Sequence, residues 1–136
     1  MIQSPDLKKR KLYSTLCHVS TFLSWFILLL IIPIVILCIS DDEIVQENAN
    51  EAINFYISFI IYYVIALILC FGLPLLLLIG ANYVLPSFAT ASFAFIGIPL
   101  LVLLIVADYM LPFLAIIHCL THLNRAYRYP FIWRFV

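Results

Sequence analysis

Charge is scarce in this 136-residue chain: Asp, Glu, Lys and Arg together make up 10% of it, and seven acidic residues cancel seven basic ones. Without a basic surplus there is no field to recruit nucleic acid, which excludes that partner as a first reading. Glycine is nearly absent at three residues, against seven prolines, which excludes collagen-like repeats and flexible low-complexity linkers. Cys17, Cys38, Cys70 and Cys119 form no CxxC pair, so they read as small apolar residues rather than a redox or zinc framework. The chain also lacks HExxH, GxSxG and any phosphate-cradling glycine loop. No enzyme, metal site or cofactor is expected from such a chain.

What it has in excess is apolar surface. Hydrophobic residues make up 66% of the chain, and the mean hydropathy is +1.17, as in an integral membrane protein. A hydrocarbon core about 30 Å thick needs about 20 apolar helical residues. Leu12 to Ser40 is 29 positions without a charge, and it follows Lys8, Lys9, Arg10 and Lys11, which suit cytoplasmic headgroups. Ala52 to Asn124 is 73 positions with one formal charge, Asp108, and is too long for a single helix. Asn82, Pro86, Ser87, Thr90 and Ser92 form its densest polar and helix-breaking cluster, so a loop is expected there.

The expected fold class is all-α, a polytopic transmembrane helical bundle forming one membrane domain over residues 1–136. Three spans are expected at about 16–39, 55–80 and 95–122, with an acidic interfacial helix after the first and a basic-aromatic interfacial tail at about 124–136. Gly72-Leu73-Pro74, an apolar run and Asn82 to Pro86 echo Gly97-Ile98-Pro99, an apolar run and Asp108 to Pro112. If the first Gly-x-Pro is a turn rather than a kink, the alternative is four spans.

Between the first two spans stand Asp41, Asp42, Glu43, Glu47 and Glu51. Ser40 followed by Glu43 is a capping-box pattern, so Ser40 is expected to cap a helix here. Val45, Ala49, Ala52, Ile53 and Tyr56 recur at helical spacing. The segment should therefore lie on the membrane surface or run straight into the second span, with Glu47 and Glu51 facing water.

Polar residues inside apolar runs are the candidate sites. Asp108 must be paired, hydrated or protonated, and Asn54 and Asn82 are candidates to share its hydrogen bonds. His118 and His122 stand at i, i+4 and could in principle ligate a haem, a pigment or a metal, although an interfacial role fits two histidines near a helix end. His18 is expected to bond a backbone group or a headgroup. At the other end Arg125, Arg128, Tyr129, Trp133 and Arg134 belong to an alternating aromatic and cationic run suited to the headgroup layer.

Leu16-Cys17-His18-Val19-Ser20, Ile31-Ile32-Pro33, Glu51-Ala52-Ile53-Asn54-Phe55 and Tyr127-Arg128-Tyr129-Pro130-Phe131 followed by Arg134 form a recognisable order. It resembles the small bacterial and cyanobacterial membrane proteins of unknown function that are distantly similar to the channel-associated subunit of the chloroplast inner-envelope protein translocon. That resemblance implies a bacterial plasma membrane or a cyanobacterial or plastid-type membrane, and it brings no catalytic residues. Asn124-Arg125-Ala126 departs from the small residue and glycine common before the Tyr-Arg-Tyr-Pro element.

The functional expectation is a non-catalytic accessory, assembly or scaffold subunit of a larger membrane complex, with lipid and a membrane-protein partner or a second copy as its partners. The alternatives are a translocon-like or ion-conducting component, with Asp108, Asn54 and Asn82 on a common wet path, and a haem- or pigment-binding subunit using His118 or His122.

Overall fold

The computed structural model describes residues 4–22, 27–72 and 93–136, and among them every regular element is helical. Helix α1 runs Ser4–Phe22, a 3-10 turn at Ile27–Leu30 leads into α2 at Ile31–Ile39, α3 runs Glu43–Leu67 and α4 runs Ile98–Thr121. Two helical stretches are long and apolar enough to cross a membrane, Glu43–Gly72 and Phe95–Thr121, and Leu28–Ile39 is a shorter apolar helix. Only 33% and 17% of the apolar windows of the two long stretches are buried in protein. The core helix of a soluble protein would be mostly covered, so these faces are left for lipid or for other helices.

The first expected span is corrected. It is not one helix, because α1 stops at Phe22 and α2 packs back against α1. The cause is the polarity of α1, where Ser14, His18, Ser20 and Thr21 are all buried inside the protein. A face so polar needs protein partners that acyl chains cannot supply. Pro33 is the third residue of α2, in the first turn, where a helix has no use for its missing N–H.

Of the two courses expected for the acidic segment, the structure has the second: it forms the first turns of α3 and runs straight on, and the separate interfacial helix is corrected. The cap of α3 is Asp42, not Ser40. Asp42 Oδ1 accepts the Ile44 N–H at 3.0 Å, while Ser40 Oγ accepts the Asp42 N–H at 3.3 Å. Asp42 has a second task that Ser40 could not perform, since its other oxygen lies 2.6 Å from Arg10 Nε of α1.

The chain divides into two compact units, Met1–Phe59 with Asp108–Val136, and Ile60–Ala107. In the first, Cys17, Ile36, Val45, Ala49 and Ala52 form the core, with Tyr13, Ile32 and Leu37 packed against it. Cysteine and alanine at these positions let helix backbones approach closely. Asp108, Pro112, Ala115 and Cys119 recur at helical spacing as the buried stripe of α4.

In the second unit Ile68–Gly72 and Phe93–Gly97 are π-helical and pack against each other. Each ends at the glycine of a Gly-x-Pro repeat. Pro99 has no N–H for the Phe95 carbonyl and its ring crowds that oxygen, so a wider turn just before it relieves the clash. Pro74 and the expected loop from Asn82 to Ser92 lie outside the described residues.

Candidate functional site

One face of α3 holds the C-terminal tail. Asn48, Glu51, Asn54 and Ser58 fall within an arc of about 120° on a helix turning 100° per residue, and all four are buried. Beyond His122 the tail has no helix of its own, so its backbone groups need partners. Asn48 Oδ1 accepts the Tyr127 N–H at 3.0 Å, and Glu51 Oε2 accepts the Tyr129 N–H at 3.1 Å. Ser58 Oγ accepts the Trp133 N–H at 2.9 Å and donates to the Trp133 carbonyl at 3.3 Å. Asn54 Oδ1 accepts from Phe135 at 2.8 Å and from Val136 at 3.1 Å, while its Nδ2 donates to the Val136 carbonyl at 3.0 Å. Glu51 Oε1 pairs with Arg134 Nε at 2.9 Å.

The tail is joined to α1 through His18. Its Nε2 lies 3.0 Å from Asn48 Oδ1 and its Nδ1 lies 2.9 Å from the Tyr129 hydroxyl, which also lies 3.2 Å from Thr21 Oγ1. The proton positions follow from the backbone ends of the network. Tyr127 N–H can only donate, which makes its Asn48 partner the oxygen, and Asn48 Nδ2 gives a 2.8 Å bond to the Ile44 carbonyl. His18 Nε2 must then carry the proton, Nδ1 is the acceptor, and the Tyr129 hydroxyl donates to it. A neutral imidazole suits this site, and burial lowers the His18 pKa from 6.5 to about 4 against the raising effect of the Asn48 bond. Burial likewise pushes the Tyr129 phenol well above its usual 10.

Rings fill the space between these bonds. Tyr129 lies 4.5 Å from Phe55, 5.4 Å from His18 and 5.1 Å from Tyr127, centroid to centroid. The Tyr56 hydroxyl donates to the Ser20 carbonyl near the C-terminal end of α1.

The residues expected as sites are distributed as follows. Tyr129, Trp133, Arg134 and Asn54 come together where α3 clasps the tail, an arrangement called the clasp below, and Arg125 and Arg128 are exposed. Asn54 bonds the tail backbone, and Asn82 lies outside the described residues. Asp108 is buried on α4, within electrostatic reach of Tyr56. Glu51, expected to face water, is buried in its pair with Arg134, whereas Glu47 is exposed. The rings of His118 and His122 stack at 4.9 Å with 18° between planes, and His122 Nδ1 is 2.8 Å from Thr121 Oγ1. Among the described residues no three or more His, Cys, Asp or Glu side chains gather as a metal site would require.

Asn48, Ser58 and Thr21 carry the clasp without having been singled out in the sequence. A signal was present, since four polar residues at steps of three, three and four mark one face of an otherwise apolar helix.

Apolar helices that leave most of their surface uncovered, around a polar interior spent on the chain's own tail, define a small helical membrane protein. The chain belongs to the MamF/MmsF family, the magnetosome magnetite crystal formation protein family, which it matches over residues 9–136. That match corrects the resemblance to the translocon-related family. Two of the elements behind the resemblance, Glu51 to Phe55 and Tyr127 to Phe131, lie on the two sides of the contact between α3 and the tail. No curated protein and no solved structure matches the chain.

Proposed function

We propose that the protein is a non-catalytic subunit of the magnetosome membrane, serving magnetite crystal formation as an accessory, assembly or scaffold component of a larger membrane complex. The observation supporting this reading is how the polar residues are used. Asn48, Glu51, Asn54 and Ser58 are each bonded to the tail, while large apolar side chains on α3 and α4, such as Val64, Leu103 and Met110, are left outward for lipid and partner helices. A scaffold needs such a rigid interior and such an outer surface. Asp108 in this reading is a packing group of α4, and Asp108→Asn should leave insertion and assembly intact.

The test is deletion of the gene in a magnetite-forming bacterium, with crystal number and size measured by electron microscopy. Crystals should be fewer or smaller, the native gene should restore them, and Asn48→Ala should restore them less well. Unchanged crystals in the deletion strain would overturn the proposal. A haem or pigment band in the purified protein would overturn its non-catalytic, cofactor-free form and return attention to His118 and His122.

A further inference from the structure

A cleft opens between α1 and the turn that follows α4. Arg10 and Ser14 line it from α1, Asn48 from α3 and Cys119 from α4, with His122 and Arg125 beyond, and its volume is about 160 Å³ with the open mouth included. His122 and Arg125 are exposed, so the cleft is reached from the surface. Its floor is closely packed, and the room for a ligand is at the mouth.

Donors outnumber acceptors there. Arg10 gives its Nε–H to Asp42 at 2.6 Å, and its side chain is only 12% exposed. The N–H groups on its two terminal nitrogens have no acceptor among the described residues. Ser14 is buried and its oxygen accepts from Asn48 Nδ2 at 3.2 Å, which leaves the hydroxyl proton without an acceptor among the described residues. The Arg125 guanidinium makes no hydrogen bond or ion pair with them either. A buried hydroxyl proton and a largely buried guanidinium are costly to leave in that state, so the acceptor has to come from outside the chain.

The charge balance selects an anion. Asp42 offsets Arg10, whereas Arg125 keeps its full charge, and Lys8, Lys9 and Lys11 stand exposed on α1 beside Arg10. The negative end of α4 works against an anion, but it amounts to about half a charge and Arg125 brings a whole one. Guanidinium forks bind phosphate oxygens two at a time, and a phosphate offers more oxygens to these converging donors than the two of a carboxylate.

We propose that this cleft is a phosphate site, filled by the phosphate of an anionic lipid headgroup or by a free phosphate ion, with Arg10 and Ser14 beneath it and His122 and Arg125 at the rim. The site does not depend on the role in crystal formation, so the crystal phenotype and phosphate binding stand or fall separately.

The full chain, purified in maltoside detergent without phosphate, tests it. Its thermal midpoint is followed as inorganic phosphate or dihexanoyl phosphatidic acid is added. Sodium chloride at equal ionic strength and dihexanoyl phosphatidylcholine are the controls. A ligand that binds only the folded chain raises the midpoint as its concentration rises, and at least one of the two phosphates should do so beyond both controls. A rise with inorganic phosphate identifies the free ion as sufficient, and a rise with phosphatidic acid alone identifies a headgroup; either supports the site. Arg125→Gln should weaken the binding by about tenfold, the loss of one charge-assisted contact. Arg128→Gln, at an exposed arginine that does not line the cleft, should leave it unchanged. If Arg125→Gln does not fold, His122→Gln carries the same comparison. No rise with either phosphate, or a rise that the controls reproduce, would overturn the proposal. Equal weakening by Arg125→Gln and Arg128→Gln would show diffuse attraction to a basic surface and overturn it too, as would binding that neither variant weakens.

Discussion

The two ends of α3 are built on opposite rules. From Glu51 to Tyr56 every residue is buried, and the polar ones among them bond a tail some eighty residues away in sequence. From Ile60 onward the helix turns large apolar side chains outward, including Ile60, Val64, Ile65 and Leu67. The first half is specified by hydrogen bonds that have one geometry, the second by hydropathy that many side chains satisfy equally. Substitutions should therefore be costly in one half and nearly silent in the other.

The largest effect is expected for Asn48→Ala. It strips the partner from the buried His18 Nε2–H and from the half-buried Tyr127 N–H at once, which should lower stability by about 3 kcal/mol. Denaturant unfolding in mild detergent measures the loss. A change below about 1 kcal/mol would show that the clasp is not what holds this half.

Acidification should attack the same node. The His18 pKa is lowered on folding, so unfolded chains take up a proton as pH falls through 6.5 while folded chains resist until about 4. The contribution of His18 is thus complete above 6.5 and is lost progressively towards 4, in total about 3 kcal/mol. Comparing the pH profile of stability with that of His18→Gln isolates it, because the other titrating groups are common to both chains. Matching profiles would remove His18 from the account.

Ser58→Ala should cost about 1 to 2 kcal/mol, since it removes both partners of the Trp133 backbone at once. Hydrogen exchange at Trp133 should accelerate while Tyr127 stays protected. The smallest effect sharpens the contrast from the other side. Val64→Ala, at a half-exposed position, should change stability by less than about 0.5 kcal/mol, and a larger loss would reveal a protein neighbour on that face.

Much of the apolar half was legible because hydropathy is a local property. Two long apolar helical stretches, Glu43–Gly72 and Phe95–Thr121, and the shorter Leu28–Ile39 stand within the apolar runs of the sequence. The polar half was legible only as residue types. Glu51 reads as a solvated residue of an acidic run, and nothing beside it in sequence announces Arg134 or the Tyr129 N–H. Asp42 displaced Ser40 as the cap through a contact with Arg10, thirty-two positions earlier.

The sequence by itself determined that the chain is helical and that two of its stretches are apolar enough to cross a bilayer. Each of these follows from the summed transfer preferences of neighbouring side chains. The tertiary structure decided that the first apolar run breaks into two packed helices, that Glu51 is buried, and that His18 is a node between helix and tail. A buried polar group is tolerated only with a partner of the right geometry, and the partner of His18 lies 111 residues away at Tyr129, a distance that only the fold closes.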